Sequence, residues 1–193
     1  MYRGSLLKNV FPQEYQKIAE NLFPSGGLSS PKGPSLKAMA EFANALGIGR
    51  DFKKFLSLPR TGNPEMENFL ENFQYNLDLL IQKTWVEKAD EARKEKLQGQ
   101  VPGFIASIKK GKSQQALEEF SAILDELANL FFGIQSTRED FNEYTFRIDE
   151  QIGLFWWYGS QLGSLSEEHK DNPMEDESLW ALLLIGICYL TNF

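Results

Sequence analysis

Apolar residues recur along this chain at helical spacing, and no stretch keeps the strict alternation of a half-buried strand. In "FPQEYQKIAENLF" the positions Phe11, Tyr15, Ile18, Ala19, Leu22 and Phe23 share one helical face. "PSGGLSSPKGP" (24–34) then breaks the pattern and predicts a loop. Ser35 caps a helix carrying Leu36, Met39, Phe42, Ala43 and Leu46, with Gly47 at its end, and a short helix over "RDFKKFLSL" follows. "TGNPEMENF" is a start signal: Asn63 as cap, Pro64 at the first helical position, Glu65 and Glu67 at the positive end of the dipole. The pattern through Phe69, Phe73, Leu77, Leu80, Ile81 and Trp85 predicts a helix reaching toward Leu97, stopped by Gly99 and Pro102.

A short helix is expected over Phe104–Ile108. A longer one starts at Ser113 as N-cap, with Ala116, Leu117, Phe120, Ile123, Leu124, Leu127 and Phe131 on one side and Gly133 closing it. Ser136 with Glu139 has capping-box spacing and opens a helix carrying Phe141, Thr145, Ile148, Ile152, Phe155, Gly159 and Leu162. Its alternating steps of four and three are those of a bundle seam. With no internal repeat and no linker, residues 1–193 read as a single all-α domain, a helical bundle of about six to eight helices.

The tail "LWALLLIGICYLTNF" (179–193) has no charged residue and no polar face. Fifteen residues rise only about 22 Å, short of the roughly 30 Å of bilayer hydrocarbon. The near flank, "MEDES", is acidic rather than basic. The tail therefore predicts a buried C-terminal helix, surrounded on all sides, and no membrane association.

Composition narrows the function further. The net charge of −7 conceals a polarity: residues 1–64 hold nine Lys/Arg against four Asp/Glu, and residues 65–193 hold eleven against twenty-three. The simplest expectation is balance between the two within one molecule, with the basic end around Lys53 and Lys54 as a candidate partner surface. An acidic chain is a poor general binder of nucleic acid. One cysteine, Cys188, forms no intramolecular disulfide, and the start has no signal-like apolar run, so the cytoplasm is expected.

Catalytic motifs are missing. His169 is the only histidine, so no metal site of histidines or cysteines is expected, and no cofactor is implied. "GSQLG" (159–163) is not a nucleophile elbow, and "KKGKS" (109–113) lacks the earlier glycine of a phosphate loop, Ala106 standing in its place. "KKGKS" reads instead as a helix end, a glycine turn and a new helix. "PSLKAMAEFANALGI" (34–48) is similar to the closing helices of phage-repressor-like helix-turn-helix domains, but "SGGLSSPKG" before it holds no recognition helix.

The most informative stretch is "RIDEQIGLFWWYGSQLG" (147–163). Trp156 falls about 60° from the seam and joins the core, whereas Trp157 falls about 160° away, with Phe146 on the same second side. A helix with two apolar faces is either sandwiched between layers or shows one face to a partner. Gly159 and Gly163 permit close approach of a neighbouring helix. The expected function is an interaction or scaffold module, self-associating or binding a protein through Phe146 and Trp157. The alternative is a small-molecule binder or carboxylate enzyme built around Tyr144, Arg147, Asp149, Trp156 and Tyr158.

Overall fold

The structure, a computed structural model, describes residues 13–23, 33–83, 91–135 and 157–192. These residues form helices and no strand: α1 (Gln13–Leu22), α2 (Leu36–Ala45), α3 (Gly49–Ser57), α4 (Pro64–Lys83), α5 (Glu91–Lys109), α6 (Ser113–Gln135), α7 (157–168) and α8 (Asp176–Thr191). The architecture is the all-α bundle that the apolar spacing predicts. Two of the predicted starts are capped as expected. Ser35 Oγ accepts the Ala38 amide at 3.1 Å, and Asn63 Oδ1 accepts that of Met66 at 3.1 Å.

The terminal helix α8 is the centre of the fold. Leu182, Leu183, Leu184, Ile187 and Cys188 are each 0% exposed, so its lack of a polar face is matched by neighbours on every side. α2, α3, α4 and α6 pack directly on it. α7 reaches it through the Tyr158 hydroxyl, which donates to the Leu182 carbonyl at 2.6 Å. α5 lies outside, on α4 and α6, and α1 lies on α2. Side-chain amides fix the last turn of α8: Asn76 donates to the Thr191 carbonyl at 2.8 Å and Asn192 to Asp51 at 3.1 Å. No described helix is long and apolar enough to cross a membrane.

Aromatic side chains join the helices around this pillar to one another. Phe120 of α6 stacks on Phe104 of α5 at 4.8 Å and meets Phe73 of α4 edge-on at 6.2 Å. Phe55 of α3 stacks on Phe69 of α4 at 3.7 Å. Such pairs add about 0.5–1.5 kcal/mol beyond the area they bury.

The structure corrects three of the expected boundaries. Gly99 and Pro102 do not stop a helix; both lie within α5, which absorbs the short helix expected at Phe104–Ile108. An internal proline costs about 3 kcal/mol, but here it sits on the exposed side. Leu97, Val101, Phe104, Ile105 and Ile108 are buried along the other side, each worth about 1.5–3 kcal/mol when fully buried. Their sum exceeds the proline penalty. Pro102→Ala, which restores the missing amide donor, should therefore raise the urea midpoint, by about 1–2 kcal/mol of stability.

Gly133 likewise does not end α6, which runs to Gln135. Ser113, expected as an N-cap, is the first residue of α6, and its side chain turns inward to another task. The glycine turn before it forms as expected. Gly111 has φ +70°, its amide bonds to the Ile108 carbonyl, and the Lys112 amide reaches the Ser107 carbonyl at 2.9 Å, closing α5 in a Schellman motif.

Candidate functional site

Of the residues singled out as a partner face or pocket, Tyr144, Phe146, Arg147, Asp149 and Trp156 lie outside the described residues, as does the capping box at Ser136 and Glu139. Trp157 and Tyr158 begin the described part of α7, and both are in the core, at 2% and 4% exposure. Trp157 is thus not an exposed partner contact. The second apolar side of α7 is covered because residues at the end of α1 and on α2 close over it. Phe23 meets the Trp157 ring edge-on at 5.4 Å, and Phe42 lies at 6.0 Å. Of the two arrangements open to a helix with two apolar faces, Trp157 takes the sandwiched one.

Gly159 and Gly163 do what their size predicts. A Cβ at Gly159 would stand 2.8 Å from the Leu124 Cβ, and one at Gly163 would stand 2.8 Å from Ser121 Oγ. That closeness lets Ser121 Oγ donate to the Gly159 carbonyl at 2.7 Å, locking α7 onto α6.

The ground beside Tyr158 is filled. Phe42, Leu46, Leu124, Tyr158, Ile185, Gly186 and Tyr189 line a cavity of about 10 Å³, near the least that admits one water. Burial pushes the Tyr158 phenol well above its ordinary value, with a smaller contribution from nearby Cys188. Burial also raises Tyr189 and the Cys188 thiol to about 12, the latter helped by Asp51. None of the three carries a charge at neutral pH, and the phenol proton of Tyr158 is already given to Leu182. This cavity has neither the volume nor the poised groups that acid–base chemistry on a metabolite needs.

The most organised polar cluster lies at the opening end of α8, and no sequence motif marked it. Arg60, on the link between α3 and α4, forms a two-pronged ion pair with Asp176 and donates to Ser113 Oγ at 2.9 Å. Ser113 in turn donates to Asp176 Oδ1 at 2.6 Å. The guanidinium also lies over the Trp180 ring, 5.2 Å from its centre. Beside it Gln114 donates to Ser166 Oγ at 3.2 Å, and Ser166 donates to Glu118 at 3.0 Å. His169, 5% exposed, closes α7, with Nδ1 3.2 Å from the Asn172 carbonyl oxygen. Among the described residues no group of three or more His, Cys, Asp or Glu is placed to hold a metal ion.

Chemically this cluster is a clasp. It joins the α3–α4 link, the first turn of α6 and the first turn of α8. Hydrogen bonding from Arg60, then that from Ser113 and the Arg60 charge, holds the Asp176 carboxyl below its ordinary value despite some desolvation. A carboxyl lowered on folding stabilises the fold above its unfolded pKa and loses that contribution as pH falls through its folded value. Asp176→Asn should therefore cost about 1 kcal/mol at neutral pH, since the pair is partly exposed to solvent. The gap to wild type in urea titrations should close as pH falls through the lowered pKa of Asp176, below the ordinary carboxylate range.

The polarity of charge along the sequence is partly cancelled in space. Lys54 pairs with Glu65 at 3.0 Å and Arg60 with Asp176, each joining the basic first third to the acidic remainder. Arg50 and Lys53 are left out of this balance. They project one turn apart from the outer side of α3, exposed and with no ion-pair partner among the described residues. Asp51 beside them is taken up by Asn192.

Searches of protein-family models, curated proteins and solved structures find no match to this chain.

Proposed function

We propose that this chain is an intracellular protein–protein interaction module that meets its partner through the outer side of α3. One observation carries the reading: Arg50 and Lys53 have no ion-pair partner among the described residues, on a short helix that is otherwise held rigidly. Phe52 and Phe55 anchor its inner side at 1% and 9% exposure, and Asp51 and Lys54 are tied to α8 and α4. A charged face on a fixed element favours fast, specific encounter with an acidic surface and loses little freedom on binding. The buried lone thiol Cys188, raised to about 12, supports a cytoplasmic setting because it is the only cysteine and forms no disulfide.

A photo-crosslinking residue at Ser57, one turn beyond Lys53, tests this in cells. The expected result is a discrete adduct of raised mass, absent when the same group replaces exposed Arg93 on α5. No adduct from position 57, or the same pattern from both positions, would count against the reading.

A further inference from the structure

We infer that the partner is a second copy of this chain: the outer side of α3, through Arg50 and Lys53, receives the acidic α7–α8 turn of the second copy, through Glu167, Asp171 and Glu177. The inference rests on the proposed interaction face and adds its occupant. All three acids are exposed and have no ion-pair partner among the described residues.

The turn that presents them is as well fixed as α3. The His169 amide bonds to the Leu165 carbonyl at 3.0 Å, Met174 is 5% exposed beside Gly33, and Asp176 is held by Arg60. Both surfaces are therefore formed before they meet, which keeps the ordering cost of association low.

Within one chain the two surfaces form no ion pair with each other among the described residues. α3 begins at the far end of α8, where Asp51 meets Asn192, and the acidic turn leads into its near end at Asp176. α8 has sixteen residues, so those ends lie about 24 Å apart. Opposite charges so separated on one body join two bodies head to tail, and the contact repeats as an open chain unless its rotation closes a ring. The net charge of −7 opposes association at long range. Screening weakens that repulsion more than it weakens pairs in direct contact, so association should be strongest at moderate ionic strength and fail in molar salt.

Sedimentation velocity across a concentration series tests the inference with three proteins: wild type, R50E/K53E, and E167K/D171K/E177K. All five positions are exposed, and matching thermal melts establish that the variants fold. Wild type should associate reversibly, and each variant alone should associate at least about tenfold more weakly. An equimolar mixture of the two variants should recover association, because each reversed face then meets a complementary one. A wild type that stays monomeric throughout, or an R50E/K53E variant that associates like wild type, would overturn the inference. A discrete heterologous adduct at position 57 with a monomeric wild type would leave the interaction face standing and replace its occupant.

Discussion

Leu183→Asp should leave the chain without a cooperative fold. Leu183 is 0% exposed at the middle of α8, with buried residues before and after it on every side of the helix. An aspartate there loses the leucine's burial, about 2–5 kcal/mol for removing such a side chain. It also brings a carboxyl that finds no partner and must bind a proton or draw in water, at a further cost of several kcal/mol. A domain of this size is stable by about 5–15 kcal/mol, so the two terms together consume most or all of it. Circular dichroism should give a weak, broad melt. Leu183→Met, which nearly conserves volume, should cost less than about 1.5 kcal/mol and keep a sharp one. A sharp melt for Leu183→Asp near the wild-type midpoint would place that residue at the surface.

The second large effect is at the aromatic junction of α6 with α8. Phe120 is 0% exposed and touches Phe104, Phe73 and the space over Gly186. Phe120→Ala should cost about 3–5 kcal/mol, since a packed bundle cannot collapse onto a hole of that size. Gly186→Ala should cost about 1–3 kcal/mol by overpacking, because its new methyl would run into the Phe120 ring. The two costs should not add. In the Phe120→Ala background the Gly186 methyl enters vacated space, and its penalty should vanish or reverse. Urea titration of all four proteins measures the coupling; strict additivity would mean that the ring does not lie over Gly186.

These effects also mark where sequence was informative. The buried terminal helix was legible because an apolar run without a polar face, too short for a bilayer, has only an interior to occupy. The caps at Ser35 and Asn63 and the turn at Gly111 were legible because each satisfies local backbone groups with local residues. Pro102 misled because its penalty is local, whereas the five buried residues that outweigh it gain their energy from α4 and α6.

The candidate site was less legible for the same reason. Trp157 has the angular position of a second face, but whether a second face is covered depends on α1 and α2, more than a hundred residues earlier in the chain. The Arg60 clasp joins residues 53 and 116 positions apart, and Arg60 sits in a loop without periodicity. The one hint was Ser113, whose spacing suits a cap; its hydroxyl bonds Asp176 instead. The basic side of α3 was visible at Lys53 and Lys54, but only the structure divides them, giving Lys54 a partner in Glu65 and Lys53 none among the described residues.

The arrangement of α2, α3, α4, α6 and α7 around α8 is the claim on which the rest depends, and native-state hydrogen exchange reads it directly. Amides from Leu182 to Cys188 should exchange only through global unfolding, with protection free energies equal to the stability from denaturant titration. The amides of α1, on the outside of the bundle, should exchange through smaller openings. Exchange of the α8 amides at energies well below the global value, or faster than those of α1, would contradict a central α8.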